Sequence, residues 1–268
     1  MNEFLLIEKE PPLTWLKLNR PDVLNSLNSK LLHELLAACR MLEEDNDTRV
    51  IAIIGAGPKV FSAGADLTER KGMTEGQVID YLQLIQKTFT AIESLSKPVI
   101  AAINGSAFGG GTELALACDL RVMTEESSLR LTEVTLGIIP GAGGTQRLPR
   151  LIGKSKAKEC ILTAKPLTAE EGYRLGLIHR TVAKGTFGNG SYHEKLMEDV
   201  RAWANEIAKC APLALAQAKL AIDHGFDRDL EAGLAIETKA YLKLVNTEDR
   251  REGLQAFAEK RKPAYVGK

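Results

Sequence analysis

The residues best suited to chemistry are Gly109-Gly110-Gly111-Thr112-Glu113, a triple glycine and a carboxylate set between an apolar run, Val99 to Ile103, and the apolar Leu114 to Ala117. Glycines there let another group approach bare backbone, and the N–H groups of a helix's first turn carry partial positive charge. Such a site suits an oxygen that is becoming negative, with Glu113 beside it. The same pattern also suits a plain strand-to-helix turn whose first-turn acid answers the helix dipole. A second carboxylate, Glu133, lies on a short segment, Leu131 to Gly137, flanked by apolar residues. Apolar surroundings disfavour its charged form, and two glutamates with separated proton affinities can act as acid and base on one substrate.

Two further small-residue loops follow apolar runs: Phe61-Ser62-Ala63-Gly64-Ala65-Asp66-Leu67 and Ile139-Pro140-Gly141-Ala142-Gly143-Gly144-Thr145-Gln146-Arg147. The latter is not a dinucleotide loop, because Gln146 stands where G-x-G-x-x-G needs its last glycine, and it lacks the lysine of a P-loop. It reads equally well as a sharp turn before a helix or as a ligand contact.

The elements that must position these groups follow an α/β order. Phe4 to Glu8 and Leu13 to Leu18 predict a hairpin around Pro11-Pro12. Leu31, Leu32, Leu35, Leu36, Cys39 and Leu42 recur at helical spacing behind the capping candidates Asn28 and Ser29. Val50 to Ile54 predicts a buried strand, Gly55 to Thr68 a loop, and Val78, Leu82, Ile85, Phe89 and Ile92 one face of a second helix. Val99 to Ile103 and Asp119 to Met123 supply further strands. From Thr168 onward helices dominate, at Leu196 to Lys209, Pro212 to Asp223, Leu230 to Val245 and Asp249 to Lys260, with almost no strand signal. Gly185 to Gly190 reads as a loop or hinge. The expected division is a core of residues 1–190 and a helical region of residues 191–268.

Composition narrows the function. The chain has 268 residues, and its 35 basic and 35 acidic residues cancel, so no global field steers it toward nucleic acid or an anionic membrane. No apolar run is long enough to span a bilayer, and the N-terminus shows no targeting pattern, so a cytoplasmic protein is expected. Cys39, Cys118, Cys160 and Cys210 are scattered, as are His33, His179, His193 and His224, which argues against a disulfide framework and predicts no metal site.

Taken together, Ala63-Gly64-Ala65-Asp66, Asn104-Gly105 through Leu114-Ala115, Glu133 and Pro140 through Leu148 resemble the enoyl-CoA hydratase (crotonase) family. The resemblance runs from Leu18-Asn19-Arg20-Pro21 to Phe257-Ala258-Glu259-Lys260-Arg261. It is nearest the methylglutaconyl-CoA hydratase or AU-rich-RNA-binding branch. It implies a crotonase (ClpP-like) spiral of ββα units with a helical C-terminal region that assembles a homotrimer, usually paired into a hexamer. It implies that Ala65 and Gly110 supply the backbone N–H groups of an oxyanion hole and that Glu113 and Glu133 are the catalytic pair. Val23, Leu24, Ala63, Gly64, Asp66, Leu67, Thr68, Pro140 and Gly141 are implied contacts to the CoA thioester, with Phe257 and Lys260 reaching it from a neighbouring subunit.

The implied reaction adds water across the 2,3 double bond of an enoyl-CoA, as in fatty-acid β-oxidation or leucine degradation. Each preorganised N–H on the thioester oxygen is worth roughly 3 kcal/mol as charge develops there. Glu113 would activate the water and Glu133 would deliver a proton. No cofactor beyond the coenzyme A of the substrate is expected. The alternatives are a dedicated methylglutaconyl-CoA hydratase and an enoyl-CoA isomerase. A distal carboxylate on the acyl group would call for a basic residue, with Arg70, Lys71 and Arg130 as candidates. RNA binding is not expected: the early helix, Lys30 to Glu44, lacks the row of lysines that the RNA-binding relative carries and ends acidic. A monofunctional enzyme is expected, since no dinucleotide-binding unit follows the hydratase-like region.

Overall fold

Strands β1 (Leu5–Glu10) and β2 (Leu13–Leu18) form the expected hairpin, pairing Leu5 with Leu18 and Glu10 with Leu13. The computed structural model describes residues 3–183 and 192–268. After a 3-10 turn at Pro21–Val23 comes α1 (Ser29–Glu44), capped by Asn28, whose side chain accepts from Leu31 N at 2.9 Å. Then follow β3 (Val50–Gly55), β4 (Val60–Ser62), α2 (Leu67–Arg70) and α3 (Glu75–Glu93). The next units are β5 (Val99–Ile103), β6 (Ser106–Phe108) and α4 (Gly110–Leu116), then β7 (Leu120–Thr124), β8 (Ser128–Arg130) and a 3-10 turn at Glu133–Leu136. The rest comprises α5 (Gly144–Ile152), α6 (Lys154–Thr163), β9 (Leu167–Thr168), α7 (Ala169–Arg174), β10 (Arg180–Val182), α8 (Tyr192–Ile207), α9 (Pro212–Gly225), α10 (Leu230–Leu242) and α11 (Glu248–Ala258).

Three successive ββα units repeat one plan: β3, β5 and β7 enter a six-stranded sheet in the order β1-β2-β3-β5-β7-β10, while β4, β6 and β8 enter a second sheet in the order β4-β6-β8-β9. Strands β2, β3, β5, β7 and β10 are mutually parallel. Period-2 alternation divides their side chains. Ile51, Ile53, Val99, Ala101 and Ile103 pack with the apolar face of α1 and with Ile85, Phe89 and Ile92 of α3. Val50, Ala52, Ile54, Ile100 and Ala102 face the other way, onto Leu196, Val200 and Ala204 of α8.

Several expectations change. The segment Gly55 to Thr68 is not all loop, since it contains β4 and opens α2. Beyond residue 166 the chain still contributes β9 and β10, each only two or three residues long and therefore without a readable alternation. The division at residue 190 and the loop at Gly185–Gly190 lie outside the described residues. Its helical side, however, includes α8, whose buried face packs that helix with the sheet. The helices that stand apart begin at Pro212: α9 buries no residue and α10 buries only Ala240. Among the described residues no helix is long and apolar enough to cross a membrane.

Candidate active site

Two loops from adjacent units meet at bare backbone. Gly64 has φ +86°, and a Cβ there would stand 2.5 Å from the Phe108 carbonyl oxygen and 3.0 Å from Gly110 N. Only glycine permits both that conformation and that approach. Across the contact, a Cβ on Gly110 would lie 3.5 Å from Ala65 N. The N–H groups of Ala65 and Gly110 are therefore neighbours, and neither donates a hydrogen bond among the described residues. Gly110 opens α4, where an N–H has no partner inside the helix.

One turn on, Glu113 is 2% exposed. Its Oε1 accepts two backbone hydrogen bonds, from Ala142 N at 2.8 Å and Gly144 N at 2.7 Å. Its Oε2 accepts none among the described residues. Burial pushes the Glu113 carboxyl up to about 7, against the pull of the Gly144 N–H and with a further push from the charge of Glu133. Glu133 begins the 3-10 turn after β8 and is 8% exposed. Burial raises its affinity for a proton too, opposed by its own and Thr132's backbone N–H and by the charge of Arg70. Its Oε1 lies 3.0 Å from where a Cβ on Gly109 would stand, and its Oε2 is buried without a hydrogen-bond partner. The site thus joins two unengaged N–H donors with two buried carboxyls that both favour protonation, each with an oxygen to spare.

The surrounding residues divide by what their side chains already do. Val23, Leu24 and Leu67 are exposed apolar groups on the segments leading into the site, and Thr68 is exposed beside them. Ala63 and Leu24 are joined by a backbone hydrogen bond of 2.9 Å. The Asp66 carboxylate is engaged within the fold: it caps α2 through Thr68 N and Glu69 N and pairs with Arg20 Nη1 at 2.9 Å. Burial works against its charge, yet these bonds hold its carboxyl below the usual range. Pro140 is buried, and the Gly141 carbonyl accepts from Gln86 Nε2 at 2.7 Å. Phe257, 84% exposed, and Lys260 stand at the end of α11, with no hydrogen bond to the site among the described residues. Of the three basic candidates, Arg130 donates to the Ala164 carbonyl, whereas the guanidinium of Arg70 lies over the Tyr81 ring and its charge reaches Glu133.

Sequence reasoning missed how Glu113 is held. The loop at 139–147 is neither a phosphate cradle nor a mere turn, because its backbone supplies both donors to the Glu113 carboxylate. Gly143, at φ +110°, gives the loop the left-handed step that aims them. Gln86, Glu93 and Arg147 brace this loop from outside, and in the sequence nothing distinguishes them from other surface polar residues.

The enoyl-CoA hydratase/isomerase family model matches residues 8–268. The crystal structure of an enoyl-CoA hydratase from Bacillus anthracis superposes with a TM-score of 0.93 at 46% identity, covering 99% of this chain and 100% of that one. The short-chain-enoyl-CoA hydratase of Clostridium acetobutylicum is 40% identical, covering 96% of this chain and 95% of its own. The mitochondrial methylglutaconyl-CoA hydratase of Mus musculus is 43% identical over 98% of this chain and 82% of its own. With a family model matching residues 8–268 and relatives at 40% identity or more along nearly the whole chain, the chain belongs to the enoyl-CoA hydratase/isomerase family.

Proposed function

We propose that this protein is a hydro-lyase that adds water across the 2,3 double bond of an enoyl-CoA thioester. The observation that carries this is the juxtaposition of the free Ala65 and Gly110 N–H groups with two buried, proton-retaining glutamates. In this mechanism the thioester oxygen accepts from both N–H groups, which draws electron density from C3. A water molecule sits between Glu113 and Glu133. Glu113, as carboxylate, takes a proton from that water while its oxygen bonds to C3. The double-bond pair moves toward the carbonyl as an enolate, and Glu133, as carboxylic acid, protonates C2. One proton is taken and one given, so the pair needs only to pass a proton from Glu113 to Glu133 before the next turnover. Coenzyme A enters as part of the substrate, and the exposed Val23, Leu24 and Leu67 form an apolar surface suited to its adenine and pantetheine.

Incubation with crotonyl-CoA tests this: loss of the conjugated enoyl absorbance with formation of a 3-hydroxyacyl-CoA is the expected result. Double-bond migration without water uptake would place the enzyme among the isomerases instead. The position of Arg70 supports an acyl group carrying a distal carboxylate. Comparing crotonyl-CoA, longer enoyl-CoAs and 3-methylglutaconyl-CoA tests this, with an Arg70→Met variant expected to lose the preference for the last. The working form is proposed to be a trimer, alone or paired as a hexamer, in which a neighbouring copy brings Phe257 and Lys260 to the CoA.

A further inference from the structure

The donors that hold Glu113 are themselves held, from a side that no substrate contact requires. Helix α3 carries Gln86 and Glu93 seven residues apart, on one helical face. Gln86 Nε2 donates to the Gly141 carbonyl at 2.7 Å, and the N–H of that same peptide unit, Ala142 N, donates to Glu113 Oε1 at 2.8 Å. A peptide unit is rigid and planar, so fixing its carbonyl fixes the direction of its N–H. A hydrogen bond accepted at the carbonyl also polarises the N–H and strengthens it as a donor. The peptide that follows, Ala142 C=O to Gly143 N, lies between the two donors and is held by Arg147 Nη1, which donates to the Ala142 carbonyl at 2.9 Å. The Arg147 guanidinium is in turn locked by a two-pronged bond to Glu93, Nε to Oε1 at 2.9 Å and Nη2 to Oε2 at 2.7 Å. A side chain on Gly143 would collide with Arg147 Nη1, so the guanidinium lies flush against the turn. Glu93 and Arg147 line a groove of about 1020 Å³ that neither Glu113 nor Glu133 lines.

We propose that Gln86, Glu93 and Arg147 form a positioning clamp that aims the Ala142 N–H at Glu113, fixes the loop between it and the Gly144 N–H, and so sets the proton affinity of this carboxylate. None of the three touches the reacting atoms. The clamp acts on Glu113 Oε1 and leaves Oε2 for the water, which defines one attacking direction. This inference rests on the hydratase mechanism above and assigns residues outside it.

The test compares wild type, Gln86→Met and Arg147→Lys by the pH dependence of kcat/KM on crotonyl-CoA, with CoA affinity measured alongside. Gln86 is exposed, so its replacement leaves the core untouched, and Arg147→Lys keeps the charge while removing the fork. Weaker N–H donation disfavours the Glu113 carboxylate, and the base form then appears only at higher pH. The expected result is an acid limb displaced upward by about half a pH unit or more, with kcat reduced about tenfold and CoA affinity unchanged. An acid limb that stays in place in both variants overturns the clamp, whatever happens to the rate. A wild-type protein that hydrates nothing overturns the proposed function instead.

Discussion

In the proposed mechanism Glu113 faces conflicting demands, since it must be ionised to activate water yet lies where ionisation is disfavoured. Its carboxyl, pushed to about 7 from an ordinary 4.5, makes the folded state favour the proton. The stability contribution is therefore complete below about pH 4.5 and lost as pH rises through 7. The loss amounts to about 3 kcal/mol at pH 8 for this shift. Glu113→Gln keeps an oxygen for the Ala142 and Gly144 donors but cannot ionise. It is expected to unfold at a higher temperature than wild type at pH 8 and at a similar temperature at pH 4.5, as calorimetry at the two pH values would show. The same variant, and Glu133→Gln, should lose roughly 10²–10⁴ in turnover on an enoyl-CoA with CoA affinity nearly intact. Near wild-type turnover in either would remove that residue from the mechanism. Gly110→Pro deletes an N–H whose bond strengthens as charge develops, so a correctly assembled variant should lose at least about a hundredfold in kcat and far less in binding. Activity within tenfold of wild type would mean another group binds the thioester oxygen. These residues were legible in the sequence because Gly110 and Glu113 lie three positions apart in one motif. The cradle at Ala142 and Gly144 was not legible, because its partner is some thirty residues away and backbone donors leave no trace in residue type.

At the scale of elements, the short helix α2 follows the loop bearing Ala65 and opens with the exposed Leu67 and Thr68. It has only four residues, too short to persist on propensity, and so depends on its cap. Asp66 caps it and ties it to Arg20, on the turn after β2, while Glu69 ties it to the start of α1 by accepting from Ser29 N. Asp66→Ala is expected to cost about 1–2 kcal/mol of stability. Because Leu67 and Thr68 would lose their fixed position, it should also raise KM for the CoA thioester more than it lowers kcat. Steady-state kinetics alongside urea unfolding would check both, and an unchanged KM would show that α2 does not shape the CoA surface. The same scale explains what the sequence hid. Strands β3 and β5 were visible as unbroken apolar runs bounded by Gly and Pro. The second sheet was not visible, since β4, β6 and β8 have three residues each, and β4 and β6 are set between glycines. Their positions come from pairing, as where Val60 aligns with Ser106 and Ala107 with Leu129.

For the whole molecule, the question is what covers the C-terminal helices. Lys219 on α9 pairs with Asp119 at the start of β7, and Arg150 on α5 pairs with Asp227, so α9 and its following turn are tethered to the core by charge rather than by apolar burial. Meanwhile Ile222, Phe226, Leu230, Leu234, Tyr241, Leu242, Leu254 and Phe257 are each at least half exposed. A monomer rarely displays so many large apolar side chains along one run of helices. Burying each fully is worth about 1.5–3 kcal/mol, whereas association costs about 4–15 kcal/mol, so a stable assembly would have to cover most of them. Light scattering at micromolar concentration is therefore expected to give the mass of three or six chains. A double variant, Phe226→Glu with Leu230→Glu, should shift it toward one chain, since two charges cannot be desolvated at such a contact. The consequence for catalysis separates assembly from chemistry. If Phe257 and Lys260 complete the CoA surface of a neighbour, the dissociated variant retains Glu113 and Glu133 in place but binds the thioester poorly. Its KM should then rise well before its saturated kcat falls, and Phe257→Ala in an intact trimer should reproduce part of that rise. A wild-type protein that stays monomeric at micromolar concentration and is fully active would refute the shared site, and the exposed face would then need another occupant.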